Sequence, residues 1–165
     1  MTDKNIVLIG MPTSGKTTMT ELTAERLGMP CVEMDEEVSE EIGMSIAECF
    51  RTHGEAFFRR AETECIRMHM HDRGTLISCG GGVVKDPENM RMLKENGIIL
   101  WLDRDLDKLY TTASRPLSTT REQLAELYEE RIGLYRMYAD VRIDNNGTIE
   151  ETAEQIIRAV QEYEG

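Results

Sequence analysis

The chain has 165 residues, 40% hydrophobic and 30% charged, with 31 acidic against 19 basic side chains for a formal charge of −12. That length suits one domain, and the composition is that of a globular chain rather than a disordered one. The acidic balance argues against nucleic acid or an anionic membrane as partner. No apolar run approaches the ~20 residues of a bilayer span, and the N-terminus lacks the basic, cleavable pattern of a leader, so a cytoplasmic location is expected.

The first element is Asn5-Ile6-Val7-Leu8-Ile9-Gly10, a continuous apolar run of the kind required of a strand buried on both faces. Directly after it comes Gly10-Met11-Pro12-Thr13-Ser14-Gly15-Lys16-Thr17, a full match to G-x-x-x-x-G-K-[ST]. Gly10 and Gly15 let the backbone curl so that successive N–H groups converge on a phosphate, and the helix from Lys16 to Leu27 adds its positive end. Lys16 is expected to reach the β- and γ-phosphates, and the Thr17 hydroxyl to ligate Mg²⁺. Nucleotide binding follows. There is no N-K-x-D guanine-reading motif, and the chain is short for a motor or GTPase domain, which leaves a kinase of metabolites or nucleotides.

A second short strand, Cys31 to Met34, leads into Glu33-Met34-Asp35-Glu36-Glu37. Glu33 and Asp35 alternate and so share one side of an extended chain. One could hold a water of the metal shell while the other takes the proton of an attacking hydroxyl. Equally, Asp35 could cap a helix whose dipole Glu36 and Glu37 favour. Helical stretches follow at Ser45 to His53 and Glu55 to His71. In the second, Arg59 and Glu62 fall three apart, so a carboxylate neighbour could present the guanidinium fork to an anion, or the two could form a plain surface ion pair. His69 and His71, two apart, do not share a helix face and read as a solvated helix end.

The third strand, Thr75 to Cys79, ends in Gly80-Gly81-Gly82, poor material for strand or helix but suited to close approach of backbone to a ligand. A helix at Asp86 to Asn96, a strand at Ile98 to Leu102 and a helix at Asp105 to Ala113 come next. The polar segment Ser114-Arg115-Pro116-Leu117-Ser118-Thr119-Thr120 is placed like a lid, with Arg115 able to clamp phosphates. The helix Glu122 to Tyr138 carries Arg131, the strand Val141 to Ile143 is the fifth, and a helix from Thr148 to Glu164 closes the chain. Cys31, Cys49, Cys65 and Cys79 lie far apart, without a C-x-x-C pair, and read as small buried hydrophobes.

Strand and helix alternate throughout, without linker or repeat. The expected fold is α/β: one domain over residues 1–165, a five-stranded parallel sheet between two helical layers, as in P-loop nucleotide-binding proteins. In such a sheet the ligand sits beyond the carboxyl ends of the strands, where strand order reverses.

In order along nearly the whole chain, these pieces resemble the shikimate kinase family, a branch of the nucleoside monophosphate kinase-like P-loop folds. The resemblance rests on the loop from Gly10 to Thr18, Asp35, Gly43-Met44-Ser45-Ile46, Gly54-Glu55, Phe58-Arg59 with Glu62, Gly80-Gly81-Gly82-Val83-Val84, Arg115-Pro116-Leu117, and Glu130-Arg131 with Leu134-Tyr135. It implies phosphorylation of the 3-hydroxyl of shikimate by ATP with Mg²⁺, by a monomer. It also implies substrate-binding helices at about 35–72 and a lid at about 114–121. Thr13, Ser14, Gly15, Lys16, Thr17, Thr18 and Arg115 would hold ATP. Asp35 would take or orient the attacking hydroxyl. Arg59 and Arg131 would bind the carboxylate, Glu62 would steady Arg59, and Gly80, Gly81 and Gly82 would line the substrate. Two departures stand out. Glu33 occupies a place where the family usually has Asp, implying a water-mediated metal contact, and Leu109-Tyr110-Thr111-Thr112 replaces a pre-lid Arg, so that Tyr110 is expected to stack on the base. The alternatives are a related kinase acting on gluconate or a nucleoside monophosphate, or a nucleotide-binding homologue that has lost catalysis.

Overall fold

A computed structural model describes residues 3–112 and 114–164; Met1, Thr2, Ala113 and Gly165, which the sequence reading includes, lie outside the described residues. Five parallel strands form one sheet in the order β2-β3-β1-β4-β5. They are β1 (Asn5–Ile9), β2 (Cys31–Glu33), β3 (Leu76–Ser78), β4 (Gly97–Asp103) and β5 (Val141–Asp144). The helices are α1 (Lys16–Leu27), α2 (Met34–Ile42), α3 (Ile46–His53), α4 (Glu55–His69), α5 (Pro87–Glu95), α6 (Arg121–Tyr138) and α7 (Ile149–Glu164). β1 is central: Ile6, Val7 and Leu8 pair with Leu76, Ile77 and Ser78 on one side, and Ile6 pairs with Ile98 on the other. The chain passes from β1 to β2, returns to β3, then crosses to β4, so the strand order reverses around β1 and the loop after it.

Alternation along β1 divides the core in two, because successive side chains point to opposite faces. Val7 and Ile9 join Met34, Phe58, Ile66 and Tyr135 under α2 to α6, whereas Ile6 and Leu8 join Met19, Leu76 and Ile156 under α1 and α7. Local chemistry sets the helix ends. Ser45 accepts from the Glu48 amide ahead of α3, and Asp86 from the Glu88 amide with Pro87 in the first turn of α5. Thr120 and Gln123 form a reciprocal capping box on α6.

Three expectations are corrected. The stretch from Asp105 is not a helix beyond a single 3₁₀ turn at Leu106–Lys108. Arg121 donates to the carbonyls of Leu109 (2.5 Å) and Leu106 (3.2 Å), and Thr13 takes both backbone groups of Tyr110, so the acceptors a helix would need are already used. His69 is not a solvated helix end. Its Nδ1 lies 2.6 Å from Asp72 Oδ2 and its Nε2 meets Glu37 Oε2, which ties the end of α4 to α2. Those bonds raise its pKa against the opposing effect of burial. Cys31 is exposed, at the start of an edge strand, while Cys49, Cys65 and Cys79 are buried as expected.

Two glycines distant from the loops test this packing with opposite signs. A Cβ on Gly97, at the start of β4, would run into the Leu93 carbonyl and lie 3.0 Å from Val7 Cγ2. Gly133, mid-α6 and exposed, has nothing within 4 Å. Gly97→Ala should destabilise by about 2–3 kcal/mol, and Gly133→Ala should stabilise by up to ~1 kcal/mol, both read from chemical denaturation midpoints.

Candidate active site

All five strands point their carboxyl ends at the same region, and the segment after each contributes to it. The loop after β1 turns at Gly15, left-handed at φ 97°, into α1. Lys16 Nζ donates to the Gly10 and Met11 carbonyls, both at 2.8 Å. Burial and the neighbouring Arg115 guanidinium lower its pKa to about 8, against the pull of the Asp35 and Glu33 carboxylates. A small cavity of about 110 Å³ is lined by Thr13, Gly15, Lys16, Thr17 and Thr18 together with Glu33, Asp35, Tyr110 and Arg115. Ser14 is set apart: it lies beneath the loop, 1% exposed, and lines neither this cavity nor its neighbour.

β2 ends at Glu33, and Asp35 stands in the first turn of α2. The two carboxylates are therefore not alternate residues of one strand, and Asp35 is not the cap. Glu33 occupies the N-cap position, without a side-chain capping bond. Both still border the small cavity because the chain turns from strand to helix between them. Burial raises the Glu33 pKa against a hydrogen bond from Ser78, and its Oε1 is buried without a partner. A buried, unpaired carboxylate oxygen in the cavity that Thr17 also lines fits the oxygen chemistry of a hydrated Mg²⁺.

A larger cavity, about 290 Å³, adjoins it. The triple glycine forms its wall, and the space each position leaves is taken by a functional group. A Cβ on Gly80 would stand 2.5 Å from Asp35 Oδ1 and 3.2 Å from Glu62 Oε2. On Gly81 it would lie 3.0 Å from Arg131 Nη1, and on Gly82 2.5 Å from Arg59 Nη1. A side chain at Gly80 or Gly82 would displace Asp35 or Arg59, and one at Gly81 would press on Pro12 and Arg131. Arg59 is held by Glu62 at 3.0 Å and Glu55 at 3.2 Å, the pairing expected from their spacing, and Lys85 joins Glu55 at 3.1 Å. Burial raises the Glu62 carboxyl to about 7 against the attraction of Arg59, and its Oε2 has no partner. Arg131 is 2% exposed with its Nε unpartnered. Ser114, Arg115, Pro116, Leu117 and Ser118 border the cavity from the lid.

The two cavities share Asp35, Gly80 and Arg115 and no other residue. A carboxylate, a bare stretch of backbone and a cation therefore stand where the contents of one cavity meet those of the other.

Some contacts were not foreseen. Tyr135, one turn beyond Arg131 on α6, donates its hydroxyl to the Gly81 carbonyl at 2.6 Å, which fixes the glycine wall from behind; burial pushes its pKa up to about 12. Asn145, directly after β5, donates to the Ser14 carbonyl at 2.6 Å and accepts from Thr152 Oγ1 at 2.7 Å. Its signal in the sequence was position alone: it is the polar residue that follows the fifth strand.

The family model for shikimate kinase matches residues 12–161. A shikimate kinase of Thermodesulfovibrio yellowstonii is 41% identical over 98% of this chain and 95% of that protein. One of Persephonella marina is 39% identical over 87% of this chain and 90% of its own. Among solved structures, the shikimate kinase of Acinetobacter baumannii in complex with shikimate superposes with a TM-score of 0.91 at 28% identity, covering 97% of this chain and 94% of that one. That of Aquifex aeolicus gives 0.83 at 30% identity, covering 95% and 96%. With a matched span that takes in the glycine wall, the lid and Arg131, the chain belongs to the shikimate kinase family.

Proposed function

We propose that this enzyme transfers the γ-phosphoryl group of ATP to the 3-hydroxyl of shikimate, giving 3-phosphoshikimate and ADP. The observation that carries the reading is the sharing of Asp35, Gly80 and Arg115 between a phosphate-sized and a ring-sized cavity. ATP phosphates would lie along the backbone amides from Thr13 to Thr18, with Lys16 and Arg115 on the β- and γ-groups and the base against the exposed ring of Tyr110. The acid would lie on the glycine wall, its carboxylate between Arg59 and Arg131. Two guanidinium groups suit a carboxylate, which accepts paired hydrogen bonds. A cavity at the small end of ligand pockets suits one ring rather than a nucleotide acceptor.

In the reaction, the hydroxyl oxygen attacks the γ-phosphorus in line, the bond from that phosphorus to the bridging oxygen breaks, and ADP leaves. The hydroxyl proton passes to Asp35. Little covalent work falls to the protein, so positioning and charge account for most of the rate. Lys16 and Arg115 offset charge on the moving group; Thr17 and, through water, Glu33 would hold Mg²⁺, which supplies further neutralisation of the β- and γ-oxygens when bound. Both cavities are lined by one chain, so we place the activity in a monomer. The free thiols Cys31, Cys49, Cys65 and Cys79 suit a reducing cytoplasm. No helix among the described residues is long and apolar enough to cross a membrane.

Coupled ADP-release assays against shikimate, gluconate and nucleoside monophosphates test the reading directly: turnover should require shikimate. Asp35→Asn should lower kcat by roughly 10²–10⁴-fold with ADP affinity within a few-fold of wild type; near-normal turnover would remove Asp35 from the mechanism. Arg131→Lys keeps the charge but not the planar fork, so KM for the acid should rise by about 10-fold or more while KM for ATP stays put. Glu62 supplies a pH test. Its folded pKa of about 7 exceeds the unfolded value of 4.5. The folded state thus binds the extra proton between those values, and the stability linked to Glu62 is present below them and lost as pH rises through about 7. Glu62→Gln carries no such term. Its stability relative to wild type should climb by about 1–3 kcal/mol from pH 4.5 to pH 8, measured by denaturant titration; a flat difference would contradict the shift.

A further inference from the structure

Thr13 is the one residue other than glycine with positive φ among the described residues, at 62°. A β-branched side chain crowds its own backbone in that conformation, and glycine would adopt it freely. The hydroxyl has one use. Thr13 Oγ1 donates to the Tyr110 carbonyl at 3.1 Å and accepts from the Tyr110 amide at 3.0 Å, binding both backbone groups of a residue 97 positions away. Thr13 is buried, so water competes little for either bond. The Tyr110 side chain is 61% exposed, so packing of its ring does not hold it there.

Tyr110 stands at the hinge of the lid. Two residues on, the Thr112 carbonyl accepts from the Arg115 amide at 3.2 Å, and beyond the clamp the Arg115 carbonyl accepts from Ser118 at 3.0 Å. The other end of the segment is also fastened: the Asp105 amide donates to Asn146 Oδ1 at 2.9 Å and Lys108 Nζ to the Asn146 carbonyl at 3.1 Å. Among the described residues, the Thr13 hydroxyl is the side-chain group that hydrogen-bonds this stretch to the phosphate loop.

We propose that Thr13 is a positioning residue whose hydroxyl couples the phosphate loop to the lid hinge, so that filling the loop with polyphosphate seats Arg115. Thr13 borders the phosphate cavity, and in this coupling its peptide shifts with the loop when an anion fills it. Two bonds to one residue fix direction as well as distance, so the hinge follows. The coupling rests on the role given to Arg115 above and is independent of which hydroxyl compound accepts the phosphoryl group.

Thr13→Ala and Thr13→Gly remove the hydroxyl, the second also relieving the crowding, and Thr13→Ser keeps it. Amide hydrogen exchange across residues 109–118, with and without Mg·ADP, reads the coupling without any acceptor. In wild type the Tyr110 amide should be protected and Mg·ADP should slow exchange at Arg115 and Ser118. In Thr13→Ala and Thr13→Gly, Tyr110 protection should fall by about tenfold and the ADP-dependent slowing of the lid should vanish. With a working acceptor, kcat should fall about tenfold in Thr13→Ala and Thr13→Gly, and Thr13→Ser should recover most of that loss together with the lid protection. Thr13→Gly should melt no lower than wild type, separating lost coupling from lost stability. Wild-type lid protection by Mg·ADP in Thr13→Ala and Thr13→Gly, or a Thr13→Ser variant as impaired as Thr13→Ala, would overturn the proposal. Intact exchange behaviour without turnover on shikimate would instead reject the acceptor assignment and leave the tether standing.

Discussion

The contact between the Gly80–Gly82 backbone and four charged side chains governs the acceptor half of the molecule. Asp35 and Arg59 occupy the volume that a Cβ on Gly80 or Gly82 would need, and Glu62 and Arg131 press close to Gly80 and Gly81. They come from α2, α4 and α6, so three helices are placed by one requirement: their functional groups must reach the bare backbone after β3. Tyr135 holds that backbone from the core side through the Gly81 carbonyl. In the proposed reaction, a wall held this way would keep the positional tolerance of in-line transfer small.

Electrostatics in the site run against the rest of the protein. A chain of formal charge −12 must hold two anionic substrates, and it does so by burying cations among carboxylates. Desolvation and Arg115 both weaken the hold of Lys16 on its proton, while Asp35 and Glu33 strengthen it. On the acceptor side, Glu62 pairs with Arg59 yet keeps one oxygen unpartnered, a costly arrangement unless something in the cavity completes it. Strain is concentrated here too. A left-handed non-glycine residue costs about 1–3 kcal/mol, and the two bonds from Thr13 to Tyr110 return a similar amount at roughly 0.5–1.5 kcal/mol each.

Much of this was legible in the sequence because the signals were local. Apolar runs and amphipathic stretches located the strands and all but one of the long helices, and the G-x-x-x-x-G-K-T motif located the phosphate loop. The i, i+3 spacing of Arg59 and Glu62 anticipated their ion pair. What escaped depended on partners far along the chain. Asp105 to Ala113 has a helical pattern, but Arg121 and Thr13 capture the carbonyls a helix would use, and neither is visible from within the segment. Glu33 and Asp35 were read either as alternate residues of a strand or with Asp35 capping a helix, and the turn falls between the two readings, with Glu33 at the N-cap, because alternation cannot show where a strand turns into a helix. His69 looked like a solvated end because its acceptors, Glu37 and Asp72, come from the packing of α4 on α2 and the turn after it. Asn145 and Tyr135 act through backbone carbonyls of distant loops, for which no residue-type pattern exists.

The lid completes the logic of the paired cavities. Arg115 borders both, and the residues after it, Pro116 to Ser118, roof only the acceptor side. A cation that reached the phosphates without that roof would stabilise transfer to water as readily as to a sugar-like hydroxyl. A roof without the cation would bind the acid and leave the moving charge uncompensated. Under the roles proposed above, placing both on one short segment would make covering the acceptor and clamping the phosphates a single event that also excludes water. The segment between β4 and α6 is tied at Leu106 and Leu109 to Arg121 of α6 and at Tyr110 to Thr13 of the phosphate loop, so the stretch that leads to Arg115 is referenced to both.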